Sequence, residues 1–181
     1  MKLNMKYSIL AFLSAAVLVF LDQVTKYLAA MHLAVEHGGT DIVLWKDIFR
    51  LQYLENRGAA FGIMQGQKVI LVVVTCVVAF LLCWIFIRLP MDKRFHVLRC
   101  LITFVLAGAV GNFIDRMRFG YVVDFFYFEL IDFPIFNVAD IYVTCSVILF
   151  VIFFLFYYKE EDFERIWAAI WPFGKEKRGR S

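Results

Sequence analysis

The stretch VILVVVTCVVAFLLCWIFIRL, residues 69–89, decides the fold class. It carries no charged side chain before Arg88, and hydrophobic residues fill almost every position. A helix rises about 1.5 Å per residue, so roughly 20 apolar residues cross the hydrocarbon core of a bilayer. The whole chain agrees, because 62% of its 181 residues are hydrophobic, whereas soluble domains are about 45–50% apolar. We therefore predict an integral membrane protein.

Three further apolar stretches are long enough to span a membrane. The four predicted spans cover about residues 7–31, 69–89, 97–114 and 138–158, and the third loses its apolar character at Asn112. The first stretch begins like a secretory signal, but no small-residue cleavage site follows, and Asp22 and Lys26 interrupt it. We predict that this stretch is retained and that residues 1–160 form a single all-α membrane-embedded domain.

Lysine and arginine are unevenly distributed between the segments that flank the spans. With four spans, the N-terminus, the link between the second and third spans and the C-terminal tail share one side of the membrane. They carry most of the 19 basic residues: Lys2, Lys6, Arg88, Lys93, Arg94, Arg99, Lys159, Arg165, Lys175, Lys177, Arg178 and Arg180. Cytoplasmic segments are enriched in these residues, so we predict cytoplasmic termini, with residues 32–68 and 115–137 outside. The small net charge of +3 suggests no nucleic-acid partner.

Two outer segments and the tail show their own patterns. Phe49, Leu51 and Tyr53 alternate with polar residues, which predicts a short strand. Residues 121–128 are rich in aromatic and β-forming side chains, and we predict that they lie in the interfacial belt. In the tail, residues 161–181, apolar side chains at helical spacing predict a short helix on the cytoplasmic membrane surface that Pro172 ends.

The unusual polar residues all map to the outer end of the predicted bundle. Ionisable residues inside spans are costly, so each marks a candidate functional site. They are Asp22 and Lys26 in span one, Asn112, Asp115 and Arg116 at the end of span three, Asn137 and Asp140 at the start of span four, and Asn56 and Asp124 in the outer segments. This one-sided distribution predicts a polar site in the outer leaflet.

Simpler structural roles also fit several of these residues. Asp22 and Lys26 have the i, i+4 spacing of a helix ion pair. Asp115 precedes Arg116 directly and is expected to hold it. Asn137 and Asp140 have the spacing of a helix N-cap and its third residue.

Aspartates are the residues that remain for catalysis once other protease chemistry is considered. No serine lies in a GxSxG motif, no histidine in HExxH and no cysteine in CxxC, so we predict neither a metal nor a cofactor. Two neighbouring carboxylates in an apolar site share one proton. The ionised carboxylate takes a proton from water, and the protonated carboxyl polarises the substrate carbonyl.

Five motifs occur in order along residues 22–140. They are DQVTK at 22–26, NRGAAFG at 56–62, GNFIDR at 111–116, VVDF at 122–125 and FNVAD at 136–140. Together they closely resemble the motifs of the lipoprotein signal peptidase family, also called signal peptidase II. The resemblance covers about residues 20–145 and not the tail. Family members often have a serine where this chain has Ile141.

The resemblance implies four transmembrane helices with a small extracytoplasmic β-cradle in the bacterial inner membrane. It implies an intramembrane aspartyl endopeptidase that cuts diacylglyceryl-modified prolipoproteins just before the lipidated cysteine. By motif, Asp124 and Asp140 are the catalytic pair. The supporting or substrate-binding residues are Asp22, Lys26, Asn56, Gly58, Asn112, Asp115, Arg116 and Asn137. We expect membrane lipid and lipid-modified precursors as partners, and a monomer.

Two other functions also use intramembrane polar residues or four spans. A small transporter or channel would use the carboxylates for ion passage, but its polar sites should continue across the membrane. A purely structural subunit of four spans leaves the one-sided polar residues unexplained. The separation of Asp124 and Asp140 distinguishes the three, because a peptidase needs them within reach of one water molecule.

Overall fold

Four long helices form the body of the part of the chain that the structure describes, as the sequence predicts. The computed structural model describes residues 5–59 and 63–171. The helices are α1 (Met5–Leu33), α2 (Lys68–Arg88), α3 (His96–Phe119) and α4 (Val138–Phe156). Each is long and apolar enough to cross a membrane. The outward faces of α2 and α4 expose large apolar side chains, such as Phe80 and Leu155, which suits contact with lipid tails.

The third helix is longer than predicted at its C-terminal end. It continues past Asn112 to Phe119 and stops at Gly120, whose φ of 86° is the left-handed conformation that glycine adopts readily. The polar residues do not end the helix because Asp115 is buried and paired within the protein. The motif at 111–116 therefore lies on a rigid helix rather than in a loop.

Helix α3 is the centre of the bundle and packs against the other three helices. Glycines allow its close approach to α1 and α4. A Cβ atom on Gly108 would lie 2.5 Å from the carbonyl oxygen of Ala139, and one on Gly111 would collide with the Asp22 carboxylate. Small residues at such crossings let helix backbones approach in a membrane, and here they bring the outer ends of α1, α3 and α4 together.

A three-stranded antiparallel sheet lies at that outer end. Its strands are β1 (Ile42–Trp45), β2 (Phe49–Asn56) and β3 (Val122–Phe128), in the order β1-β2-β3. The strand predicted from Phe49 is confirmed. The interfacial depth predicted for residues 121–128 stays a prediction, and the structure adds that the first half of β3 is covered by protein. Residues 122–125 are buried because the strand pairs with β2 and packs against Ala29 and Leu33 of α1.

The tail forms a short helix, α5 (Glu160–Ile170), at the opposite end of the bundle. Phe163 and Ile166 pack against a buried cluster that includes Phe95. Asp162 accepts hydrogen bonds from Arg94 at 2.7 Å. The predicted stop at Pro172 lies outside the described residues, as does Gly62 of the second motif.

Candidate active site

Asp124 and Asp140 line one cavity of 630 Å³ at the outer end of the bundle. Asp124 belongs to β3 and Asp140 is the third residue of α4. The chain after β3 turns back on itself, and the backbone N–H of Phe126 donates to the carbonyl oxygen of Phe136 at 2.8 Å. This bridge sets the start of α4 beside the strand, so two carboxylates separated by sixteen positions in sequence face the same space.

Asn137 connects the two carboxylates directly. Its side-chain Nδ2 donates to Asp124 at 2.6 Å, and its backbone N–H donates to Asp140 at 3.1 Å. Its Oδ1 accepts from the backbone N–H of Asp140 at 3.0 Å, which completes a capping box. The predicted helix cap is therefore confirmed, and the same residue also places both acids in one network.

Two further asparagines each present an N–H group to one acid. Asn56 Oδ1 accepts from the backbone N–H of Gly58 at 2.9 Å, so its Nδ2 faces Asp124, also at 2.9 Å. Asn112 Oδ1 accepts from Lys26 Nζ at 2.8 Å, so its Nδ2 faces Asp140 at the same distance. Since a backbone N–H or an ammonium can only donate, each amide is held in one orientation.

The two acids occupy different environments. Asp124 is 1% exposed. Burial raises the pKa of Asp124, and the negative charge of Asp140 raises it further, to about 7. Hydrogen bonds from Asn56 and Asn137 oppose these effects. Asp140 is only half-buried and lies in the first turn of α4, where the helix dipole favours negative charge. The arrangement favours a single shared proton near neutral pH.

Lys26 is the centre of a buried charge cluster beneath the acids. Its Nζ lies 3.0 Å from a carboxylate oxygen of both Asp22 and Asp115, and the three side chains are no more than 3% exposed. Asp22 accepts from the backbone N–H of Ala139 at 2.9 Å, and Asp115 accepts from that of Val123 at 3.2 Å. The ion pair that the i, i+4 spacing predicts within α1 is therefore present, but it is part of a larger cluster that links α1, α3, α4 and β3.

The expectation that Asp115 holds Arg116 is wrong. Asp115 points to Lys26 on the inner side of α3, whereas Arg116 lines the cavity. Arg116 donates through Nη2 to the carbonyl oxygen of Gly58 at 2.9 Å. Neighbouring residues on a helix point in different directions, so adjacency in sequence did not produce a contact. Arg116 instead links α3 to the segment that follows β2.

Sequence reasoning missed Gln23. Its Nε2 donates to Asp115 at 2.9 Å and to the carbonyl oxygen of Gly111 at 3.3 Å. The sequence did contain a signal for this role, because Gln23 lies in the DQVTK motif and shares a helix face with Lys26, three residues later.

A sequence model of the family described as Signal peptidase (SPase) II matches residues 14–156. A protein named lipoprotein signal peptidase from Clostridium tetani (strain Massachusetts / E88) is 41% identical over 150 residues, which cover 81% of this chain and 90% of the relative. One of the same name from Brevibacillus brevis (strain 47) is 46% identical over 136 residues, covering 75% and 88%.

Two solved structures of bacterial membrane enzymes also match the fold. One superimposes with a TM-score of 0.69 at 35% identity and covers 85% of this chain and 90% of its own. The other has a TM-score of 0.68 at 34% identity, with 87% and 97% covered.

Proposed function

This chain belongs to the signal peptidase II family, and we propose that Asp124 and Asp140 are the carboxylates with which it cuts its substrate. It is a multi-pass bacterial membrane protein and an aspartic-type endopeptidase that removes the signal peptide from lipoprotein precursors. The observation that carries the assignment is the shared cavity, in which Asn137 bonds to both acids. The buried charges of Asp22, Lys26 and Asp115 lie at the same end of the bundle as this cavity. A transporter would instead need polar residues along a continuous path across the membrane.

The surroundings of the acids suggest which one is ionised. Asp140 accepts from Asn112 and from the backbone of Asn137 at the positive end of α4, so it carries the negative charge. Asp124 is buried beside that charge and keeps the proton. Asp140 removes a proton from water, the resulting hydroxide attacks the peptide carbonyl carbon, and Asp124 gives its proton to the carbonyl oxygen.

Collapse of the tetrahedral intermediate restores both acids. The C–N bond breaks, the leaving nitrogen takes the proton that Asp140 had accepted, and Asp124 recovers a proton from a hydroxyl group on the reacting carbon. No covalent enzyme intermediate forms, and one water molecule is consumed for each bond cut. The asparagines hold the acids at fixed distances, which avoids reorganisation during the reaction.

The proposed protonation states predict a pH limit. We expect turnover to fall about tenfold per pH unit above about 7, because Asp124 then loses the proton that it must donate. The decline should appear in kcat measured with saturating lipidated precursor, with folding checked at each pH by thermal unfolding. A flat profile up to about pH 9 in a folded enzyme would contradict the assignment of the proton to Asp124.

Part of the cavity lining is apolar, which suits the lipid of the substrate. It includes Phe133, Ile135, Phe136 and Ile141, so the chain keeps an apolar wall at the position where relatives often have serine. A diacylglyceryl group adds two acyl chains, and each buried CH₂ group contributes about 0.8 kcal/mol. We propose that these chains fix the depth and direction of the scissile bond, and that positioning supplies much of the rate.

Lipid modification of the precursor should therefore be required. We expect no measurable cleavage of an unmodified precursor, or of one whose modified cysteine is replaced by serine, in the detergent that supports cleavage of the lipidated form. Release of the signal peptide is followed by mass spectrometry. Comparable rates for lipidated and unmodified precursors would show that recognition reads only the peptide.

The division of the chain and its placement in the membrane follow from the charge pattern and the motifs. Residues 1–160 form the peptidase, and residues 161–181 a tail whose helix α5 lies on the cytoplasmic surface. We propose that the protein is a monomer of the bacterial inner membrane, that it contacts membrane lipid, and that its active site faces outward. The excess of basic residues in the α2–α3 link and at positions 175–180 supports this orientation.

Reporter fusions test the orientation. We expect fusions after Gly39 and Tyr121 to be active as external reporters and a fusion after Lys93 to be active as a cytoplasmic reporter, because the basic flanks stay inside. Each fusion is read with a pair of reporters that are active on opposite sides of the membrane. External activity after Lys93 would reverse the proposed topology.

A further inference from the structure

We propose that a second cavity, at the end of the bundle opposite the acids, binds the phosphate of an anionic phospholipid. The cavity measures 270 Å³ and lies where α1 and α3 begin and α2 ends. Its lining includes Tyr7, Leu10 and Ala11 of α1, Phe86 of α2, and Arg99 and Phe104 of α3. The orientation proposed above places it in the cytoplasmic leaflet.

Arg99 is the residue that gives this cavity its charge. It is 5% exposed, and its guanidinium donates to three backbone carbonyls: Phe86 at 2.8 Å, Leu89 at 2.6 Å and Pro90 at 3.2 Å. Its Nε is buried without a hydrogen-bond partner. These neutral carbonyls at the end of α2 offset part of the charge through their dipoles, but they supply no full negative charge.

No carboxylate forms an ion pair with Arg99 within residues 5–59 and 63–171. Asp92 is the acid whose charge acts on it, yet the Asp92 carboxylate is bound to Arg165. A buried guanidinium without a counter-charge is unfavourable. An anion in the adjoining cavity would supply the missing charge, with the carbonyl bonds left in place.

The cavity has the polarity of a phospholipid rather than of a free ion. Tyr7 and His96 lie near the N-terminal ends of α1 and α3, with ring centroids 5.0 Å apart, and carry polar atoms at that end of the bundle. The deeper lining, one or two turns further along, is mostly apolar and includes Leu10 and Phe104. It also holds the hydroxyl groups of Ser14 and Thr103, and the latter donates to the backbone carbonyl oxygen of Arg99. The volume accommodates a headgroup and the first part of an acyl chain. Basic pockets between transmembrane helices on the cytoplasmic side bind lipid headgroups in this way.

A purely structural role for Arg99 makes a different prediction. If the side chain only caps the end of α2, the cavity takes any lipid tail without regard to the headgroup. If it attracts anions in general, inorganic phosphate competes with the lipid. Only a phospholipid site requires both the phosphate and the acyl chains.

The test uses the purified full chain, stripped of lipid and analysed by native mass spectrometry. It is titrated with phosphatidylglycerol, with diacylglycerol of the same acyl chains and with inorganic phosphate. We expect one phosphatidylglycerol per chain, bound at least about tenfold more tightly than diacylglycerol, and no displacement by inorganic phosphate. Ala11→Trp fills the cavity without altering Arg99 and should abolish this binding.

Ala16→Trp is the matched control, because Ala16 lies on the same helix but is exposed and does not line the cavity. It should bind phosphatidylglycerol like the unaltered chain. Equal binding by the two tryptophan variants would place the lipid elsewhere. Equal affinity for diacylglycerol would reduce Arg99 to a helix cap, and displacement by inorganic phosphate would show a free-anion site; either result overturns the proposal.

Discussion

Replacing Asp124 or Asp140 with asparagine is expected to lower turnover by a factor on the order of 10²–10⁴ for each variant. Asparagine keeps the size of the side chain but can neither accept a proton from water nor donate one to the carbonyl oxygen. Both variants should insert and fold, because asparagine adds no charge to a site that already holds two carboxylates. Initial rates on lipidated precursor and thermal unfolding of the purified variants measure the two effects separately.

Asp47→Asn is the control for this substitution. Asp47 is exposed in the turn between β1 and β2, with a φ of 59° that asparagine also adopts. Its replacement should leave turnover unchanged. Retained turnover in either active-site variant, with normal folding, would remove that residue from the catalytic pair.

Replacing Lys26 with methionine should lower the free energy of unfolding more than replacing Asp124 or Asp140 with asparagine. The ammonium is the partner of two buried carboxylates, Asp22 and Asp115, each 3.0 Å away. Removing one partner of a buried ion pair costs about 3–5 kcal/mol, and here two acids lose their cation. Turnover should fall as well, since the amide that faces Asp140 loses its ammonium donor at 2.8 Å and keeps only the longer hydrogen bond from Asn137 at 3.2 Å. The melting temperature in detergent and the yield of folded protein report the loss.

Two further variants separate lost charge from lost packing. Lys46→Met removes an exposed lysine and should not change the melting temperature. The triple variant Asp22→Asn, Lys26→Met, Asp115→Asn removes the whole charged cluster and should be more stable than Lys26→Met alone, because no carboxylate is left unpaired. A melting temperature for Lys26→Met equal to that of Lys46→Met would refute the role given to the cluster.

The sequence predicted the spans and the motif residues well because both depend on local composition. An uninterrupted apolar run has few alternatives to a membrane helix, and β2 showed the alternation of a strand. The end of α3 was predicted too early because a polar run normally marks a helix end. Here Lys26 of α1 neutralises Asp115 from another helix, and that contact is invisible to any window along the chain.

The hydrogen bonds and ion pairs between site residues could not be predicted from the local sequence either. The asparagines were identified as part of the site, but their orientations depend on donors far away in sequence, such as Lys26 for Asn112. The pairing of Asp115 was assigned to its neighbour Arg116, although the partner lies on α1. The early residues of β3 are buried by the sheet and by α1, and neither contact could be read from the aromatic content of the segment.

The most direct test of the central claim is the mass of the products when the purified chain cuts a lipidated precursor in the presence of a strong chelator. Two carboxylates acting on water predict undiminished cleavage, with one product beginning at the lipidated cysteine and a signal peptide ending in a free carboxylic acid. Loss of cleavage on chelation that added zinc restores, or a cut at another bond, would contradict the account.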